Sequence, residues 1–189
     1  MKKVLVILAA ALVSVSAMAE IHFGAKVGFD MTNFVGKDAD HGMAPNYQAG
    51  VVMEMPLTEK FAIAPEAVFA AQGGKWENAG VDITANVNYV NIPVMAKYYV
   101  TPAFAIDFGP QLGINVYSKT TSEAAGVKTT LDLKDNTKAI DFGVGLGGTY
   151  NLTENAFLQA RYTLGLTDVY DGGGDAKNGN IQVAFGWKF

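Results

Sequence analysis

Eight segments of this chain alternate apolar with polar or small side chains, and that period of 2 constrains its fold more than any other feature. The first, EIHFGAKVGFDM, sets Ile21, Phe23, Ala25, Val27, Phe29 and Met31 against His22, Gly24, Lys26, Gly28 and Asp30. The last, IQVAFGWKF, sets Ile181, Val183, Phe185, Trp187 and Phe189 against Gln182, Ala184, Gly186 and Lys188. Between them lie YQAGVVMEM, FAIAPEAVFAAQ, NYVNIPVMAKYYV, FAIDFGPQLGINVY, AIDFGVGLGGTY and AFLQARYTLGLT. Successive strand residues project to opposite faces, so each segment reads as a strand with one apolar face. Helical spacing of three and four is absent after residue 19, and the expected fold class is all-β.

The two faces decide which way the strands turn. A soluble barrel or sandwich buries its large apolar side chains and exposes its charges. Here the face opposite the aromatics and branched aliphatics carries many glycines, which bring nothing to an oil core. It also carries Lys26, Glu54, Glu66, Lys97, Asp107, Asp141, Arg161 and Lys188, four acids against four bases. Small and mutually paired charged residues fill the narrow lumen of an eight-stranded barrel. The apolar face is therefore expected to meet lipid. The competing arrangement, a soluble carrier with that face inward, would have to close its core with the apolar face and leave the glycine-rich face in water.

Segment length and loop length agree with a membrane barrel. The segments run 9 to 14 residues, and a tilted spanning strand needs about 9–11. Links near PLTEK, TPA and NLTEN are short, whereas Thr32–Asn46, Gly73–Asn86, Ser118–Lys138 and Asp168–Asn180 are long and polar. Alternate loops of a meander lie at opposite ends, so one end is trimmed and the other elaborated. Tyr47, Phe61, Tyr98, Phe104, Tyr117, Tyr150, Tyr162, Trp187 and Phe189 near strand ends would form interfacial girdles. The expected architecture is an eight-stranded antiparallel up-and-down transmembrane β-barrel of the bacterial outer membrane. Closure also explains a chain that ends on a strand, because the last strand then pairs with the first. Pro65, Pro93 and Pro110 fall inside expected strands, where each removes a ladder donor, and bulges or shifted strand boundaries are expected there.

The amino terminus fixes the route. Lys2 and Lys3 precede an apolar run from Val4 to Val13, and Ala17 and Ala19 flank Met18 before Glu20. That layout is a secretory signal peptide over 1–19, leaving residues 20–189 as the barrel domain. The run is too short for a spanning helix, which needs roughly 20 residues. Formal net charge is −4, and losing the two lysines makes it more negative, which gives no electrostatic reason to bind nucleic acid. There is no cysteine, so disulfides do not hold the fold.

Several stretches carry a resemblance: FGAKVGFDMTNF, AGVVMEMPLTEKFAIAPEAVFAAQGGK, YVNIPVMAKYYV with FAIDFGPQLG, DFGVGLGGTYNL, and ARYTLGLTDV. The most particular features are Ile92–Pro93 followed by Lys97, and Pro65–Glu66 followed by an aromatic. By these the chain resembles the PorT-like family of small outer-membrane β-barrels. The resemblance implies an eight-stranded barrel like OmpX or the membrane domain of OmpA, with no assigned activity. The terminal FGWKF, through Phe185, Trp187 and Phe189, resembles the signal that outer-membrane assembly machinery reads in barrel precursors.

No catalytic set is expected. Acyl hydrolysis needs His with Ser and an acid, and only His22 and His41 are present. His22 reads as a polar residue at the short-turn end and His41 as a loop residue near Asp38 and Asp40. Asp168, Asp171 and Asp175 lie among glycines, but their spacing does not match a 12-residue calcium loop. No metal and no cofactor are expected. The lumen charges are expected to pair, Arg161 with Asp141 or Asp107 and Lys97 with Glu66 or Asp107, because an unpaired buried charge is costly. The expected partners are outer-membrane lipid, the assembly machinery, and a surface partner met by the long loops. The expected role is structural or surface-interacting through those loops over a plugged lumen, with a narrow channel for ions or small solutes as the alternative.

Overall fold

The computed structural model describes residues 21–37, 42–78, 80–124, 127–170 and 176–189. The signal segment 1–19, His41, Asp38, Asp40, Asp171 and Asp175 lie outside the described residues. Ten strands are described: β1 (His22–Val35), β2 (Ala44–Pro56), β3 (Phe61–Ala70), β4 (Gly73–Asn78), β5 (Val81–Thr101), β6 (Phe104–Ala124), β7 (Val127–Asp132), β8 (Ile140–Asn151), β9 (Ala156–Gly165) and β10 (Lys177–Lys188). All pairings are antiparallel. Eight strands close a ring in the order β1–β2–β3–β5–β6–β8–β9–β10 and back to β1. The closing seam runs from Gly24 opposite Lys188 to Val35 opposite Lys177, so the terminal strand is no edge.

The alternation in sequence is the alternation in space. Phe29, Val51, Phe108, Leu146 and Val183 are exposed outward, while Lys26, Glu66, Asp107 and Arg161 are buried inward. The apolar face is thus outside, and the inward-facing carrier arrangement is excluded. Aromatics gather where strands reach the short turns: Phe61 stacks on Tyr98 with ring centres 5.0 Å apart, and Phe104 lies opposite Tyr150.

The short turns are locally encoded. Leu57–Thr58–Glu59 and Leu152–Thr153–Glu154 repeat the same tripeptide and make the same turn. In each the Thr hydroxyl accepts from the backbone N–H groups two and three residues on, at 3.2 and 3.1 Å for Thr58 and 3.2 and 2.9 Å for Thr153. Such Ser/Thr turns satisfy donors that the ladder leaves free.

Two expectations are corrected. The segments 73–86 and 118–138, read as loops, are largely strand: β5 and β6 each run 21 residues against 10 to 14 in the other ring strands. Beyond the ring they carry β4 and β7 on their outer sides, forming a four-stranded extension. The prolines, in turn, make no bulges. Pairing stops and resumes in unchanged register beside each: between Val52–Glu66 and Met55–Ile63, between Pro65–Val94 and Val68–Asn91, and between Pro93–Gln111 and Ala96–Phe108. A missing donor here breaks the ladder without adding a residue. The register shifts fall instead between Asn88 and Tyr89 and between Tyr99 and Thr101.

Candidate functional site

The lumen is a stack of polar layers. Nearest the short turns, Lys97 Nζ bonds Glu54 at 2.7 Å and the Tyr99 hydroxyl donates to the same carboxylate. Lys188 Nζ donates to Asn151 at 3.3 Å. Above them Asp107 accepts from Thr149 at 2.6 Å and from Gln159 at 3.4 Å. At mid-height Glu66 receives two cations. Lys26 Nζ lies 2.6 Å from Oε2, and Arg161 makes a two-pronged contact at 3.1 and 2.7 Å. Lys26 also donates to Gln159 Oε1 at 2.8 Å. Higher still, Asp30 accepts from Gln48 at 2.7 Å and Asn180 at 3.5 Å. Asp141 then accepts from Asn178 at 2.9 Å and from the Thr167 hydroxyl.

All eight charged residues singled out in the sequence are buried on this inner face, but the partners differ from those expected. Arg161 pairs with Glu66 rather than Asp141 or Asp107, and Lys97 pairs with Glu54 rather than Glu66 or Asp107. Asp107 and Asp141 are held by neutral donors. The strand stagger explains this. Closing a barrel tilts and shears the strands, so residues adjacent in a flat meander end at different heights. Arg161 on β9 thereby reaches across the lumen to β3. Asp30, Gln48, Thr149 and Gln159, on the inward face by strand parity but outside the charged set expected to pair, also join the network.

Glycine makes the space for these long side chains. A Cβ at Gly145 would meet Arg161 Cδ at 3.2 Å and Met95 Cε at 3.3 Å. At Gly109 it would strike the Val94 carbonyl at 2.1 Å, so the strand approach itself forbids a side chain there. Between Lys26, Gln48, Glu66, Asn91, Gln111 and Arg161 the remaining space admits no water molecule. At the loop end the filling turns apolar: Phe34, Ala85, Val87, Tyr89 and Val169 are buried together, with Tyr170 packed on them. The Tyr170 hydroxyl, outside the ring strands, is raised above its ordinary pKa by that burial.

The other candidates are separate. His22 opens β1 at the short-turn end, beside Asn151, Glu154 and Lys188 in an open recess of about 690 Å³. Asp168 lies 3.9 Å from Lys138 and 3.8 Å from Lys177 in half-exposed pairs, which contribute little. Phe185 and Trp187 face outward on β10, and Phe189, next to its end, is exposed and donates its N–H to the Phe23 carbonyl at 2.7 Å. Among the described residues no three His, Cys, Asp or Glu side chains are grouped to hold a metal ion.

A closed eight-strand ring with an apolar belt outside and a filled polar lumen defines an integral β-barrel membrane protein of the outer membrane. The family described as outer membrane protein beta-barrel domain matches residues 14–171, and this chain belongs to it. No curated protein matches the chain. Among solved structures it is similar in fold to Ail, the attachment invasion locus protein of Yersinia pestis, at 12% identity and a TM-score of 0.57, covering 90% of this chain and 99% of that one. A second structure of Ail, in complex with the heparin analogue sucrose octasulfate, is similar at 12% identity and a TM-score of 0.56, covering 90% and 99%. Neisserial surface protein A is similar at 15% identity and a TM-score of 0.53, covering 88% and 97%.

Proposed function

We propose that this chain is a non-enzymatic surface barrel that presents a β-extension to an extended segment of a partner protein, over a lumen that does not conduct. The observation that carries this is the four-stranded extension. β5 and β6 stay paired from Asn88–Tyr117 out to Asp82–Glu123, and β7 lies along β6 with all six residues exposed. Its outer edge has no strand partner among the described residues. An unpaired strand edge offers main-chain donors and acceptors in register for one more strand. The narrower PorT-like grouping rests on the motifs quoted above, chiefly Ile92–Pro93 with Lys97. The terminal Phe185, Trp187 and Phe189 belong to the same reading as a signal to the assembly machinery.

A polyanion such as the heparin analogue bound by Ail is not the favoured ligand here. Lys75, Lys119, Lys128 and Lys134 on the extension are interleaved with Glu77, Asp82, Glu123, Asp132 and Asp135, and Lys128 is itself 3.2 Å from Glu123. No uniformly basic surface results.

Proline at Thr129 or at Thr130 tests the reading, because consecutive strand N–H groups point to opposite edges and one of the two faces outward. Attachment of cells displaying the barrel, to host cells and to each other, should fall at least tenfold in one proline variant and in a deletion of 127–132. Unchanged attachment in all three variants, with the barrel still shifting on a gel when boiled, would sink the proposal.

The channel reading meets two obstacles, the Glu66 layer without room for water and the apolar filling at the loop end. Wild-type barrel in planar bilayers should show no resolved conductance steps. Regular single-channel steps in correctly inserted protein would reinstate the channel.

A further inference from the structure

The outward wall carries a dent on β1–β3. Val51 lies between Ala25 on β1 and Ala67 on β3, so one outward row reads small, branched, small. Pro65 continues the small floor, and Phe23, Met53 and Phe189 stand around it in a groove of about 440 Å³ with almost wholly apolar walls. The floor coincides with the ladder break at Pro65, between the pairs Val52–Glu66 and Met55–Ile63.

The groove starts at the short-turn end, which in such barrels is periplasmic. From Val51 to the end of β2 at Pro56 is about 16 Å of strand. At a tilt near 45° this covers roughly the periplasmic half of an apolar band about 25 Å tall. Lys60, exposed in the turn between β2 and β3, lies below the groove at headgroup level.

We propose that this groove seats one acyl chain of a phospholipid from the periplasmic leaflet. It is continuous with the apolar belt that already faces lipid, so hydrocarbon is the material at its mouth. Left empty, its walls would lose dispersion contacts on one side. A flexible single chain can follow a narrow floor of alanine and proline, whereas the convex wall of a second barrel would bridge it.

Labelling with phosphatidylethanolamine that carries a photoactivatable diazirine in mid-chain tests this, using intact barrel in phospholipid nanodiscs and peptide mass spectrometry. Adducts at Val51, Met53 and Ala67 should exceed those at Leu146 on β8 and Ala160 on β9, across the ring, at least fivefold. Ala67→Phe should cut labelling of Val51 and Met53 at least fivefold, and Ala160→Phe should leave it unchanged. Even labelling around the barrel overturns the proposal, as does undiminished labelling in folded Ala67→Phe. Adduct-free β2 and β3 with cross-links between copies would mean that a second barrel covers the face, and would overturn it equally. Should Ala67→Phe fail to fold, the wild-type adduct map decides alone.

Discussion

Glu66→Gln will destabilise the folded barrel by about 3–5 kcal/mol, the usual cost of removing one partner from a buried ion pair. Glu66 is the only carboxylate hydrogen-bonded to either Lys26 or Arg161 among the described residues, and all three side chains are at most 2% exposed. A neutral amide would leave two cations facing each other in a layer without room for water. Arg161→Met should cost clearly less, because the Lys26–Glu66 pair at 2.6 Å survives it. Urea unfolding in phospholipid vesicles, followed by the gel shift of the folded form, measures both. Equal losses in the two variants would mean that packing rather than charge balance governs this layer.

Val183→Arg will cost about 2–4 kcal/mol, as a cation near the bilayer midplane does on the lipid face of a barrel. Val183 is 56% exposed at the middle of β10, opposite Phe29 and Ala160 on its two neighbours. Leu152→Arg offers the contrast. Leu152 is nearly as exposed, at 49%, but it sits in a short turn, where the same change should cost about 0–1 kcal/mol. The same unfolding experiment reads both. A cost at Val183 no larger than at Leu152 would place β10 outside the hydrocarbon.

These two substitutions differ in how readable their settings were. The outward position of Val183 follows from parity alone, and parity holds for every ring strand because lipid on one side and a polar lumen on the other enforce it residue by residue. Where that contrast ends, so does the signal. The stretches GGKWEN, VDITAN and VKTTLD lie beyond the ring, with no lipid on either face, and their strands β4, upper β5 and β7 carry no clean alternation. They read as loops for that reason. Pro65, Pro93 and Pro110 misled in another way: a lost N–H requires a lost ladder bond but not an inserted residue, and the neighbouring hydrogen bonds keep the register.

The partners of Glu66 show the other limit. Its inward direction was fixed by its place in FAIAPEAVFAAQ, and its need for a counter-charge by the cost of burying it alone. Which cation met it was not. Arg161 is 95 residues away in sequence, and it reaches Glu66 only because tilt and stagger bring β9 and β3 to matching heights across the lumen. Alternation is a local property of the backbone, so the sequence by itself determined the strands, their lipid-facing sides and the closure that absorbs a terminal strand. Shear is a property of the closed ring, so only the tertiary structure decided which charges pair, where the apolar plug and the outer groove lie, and that two loops are an extended sheet.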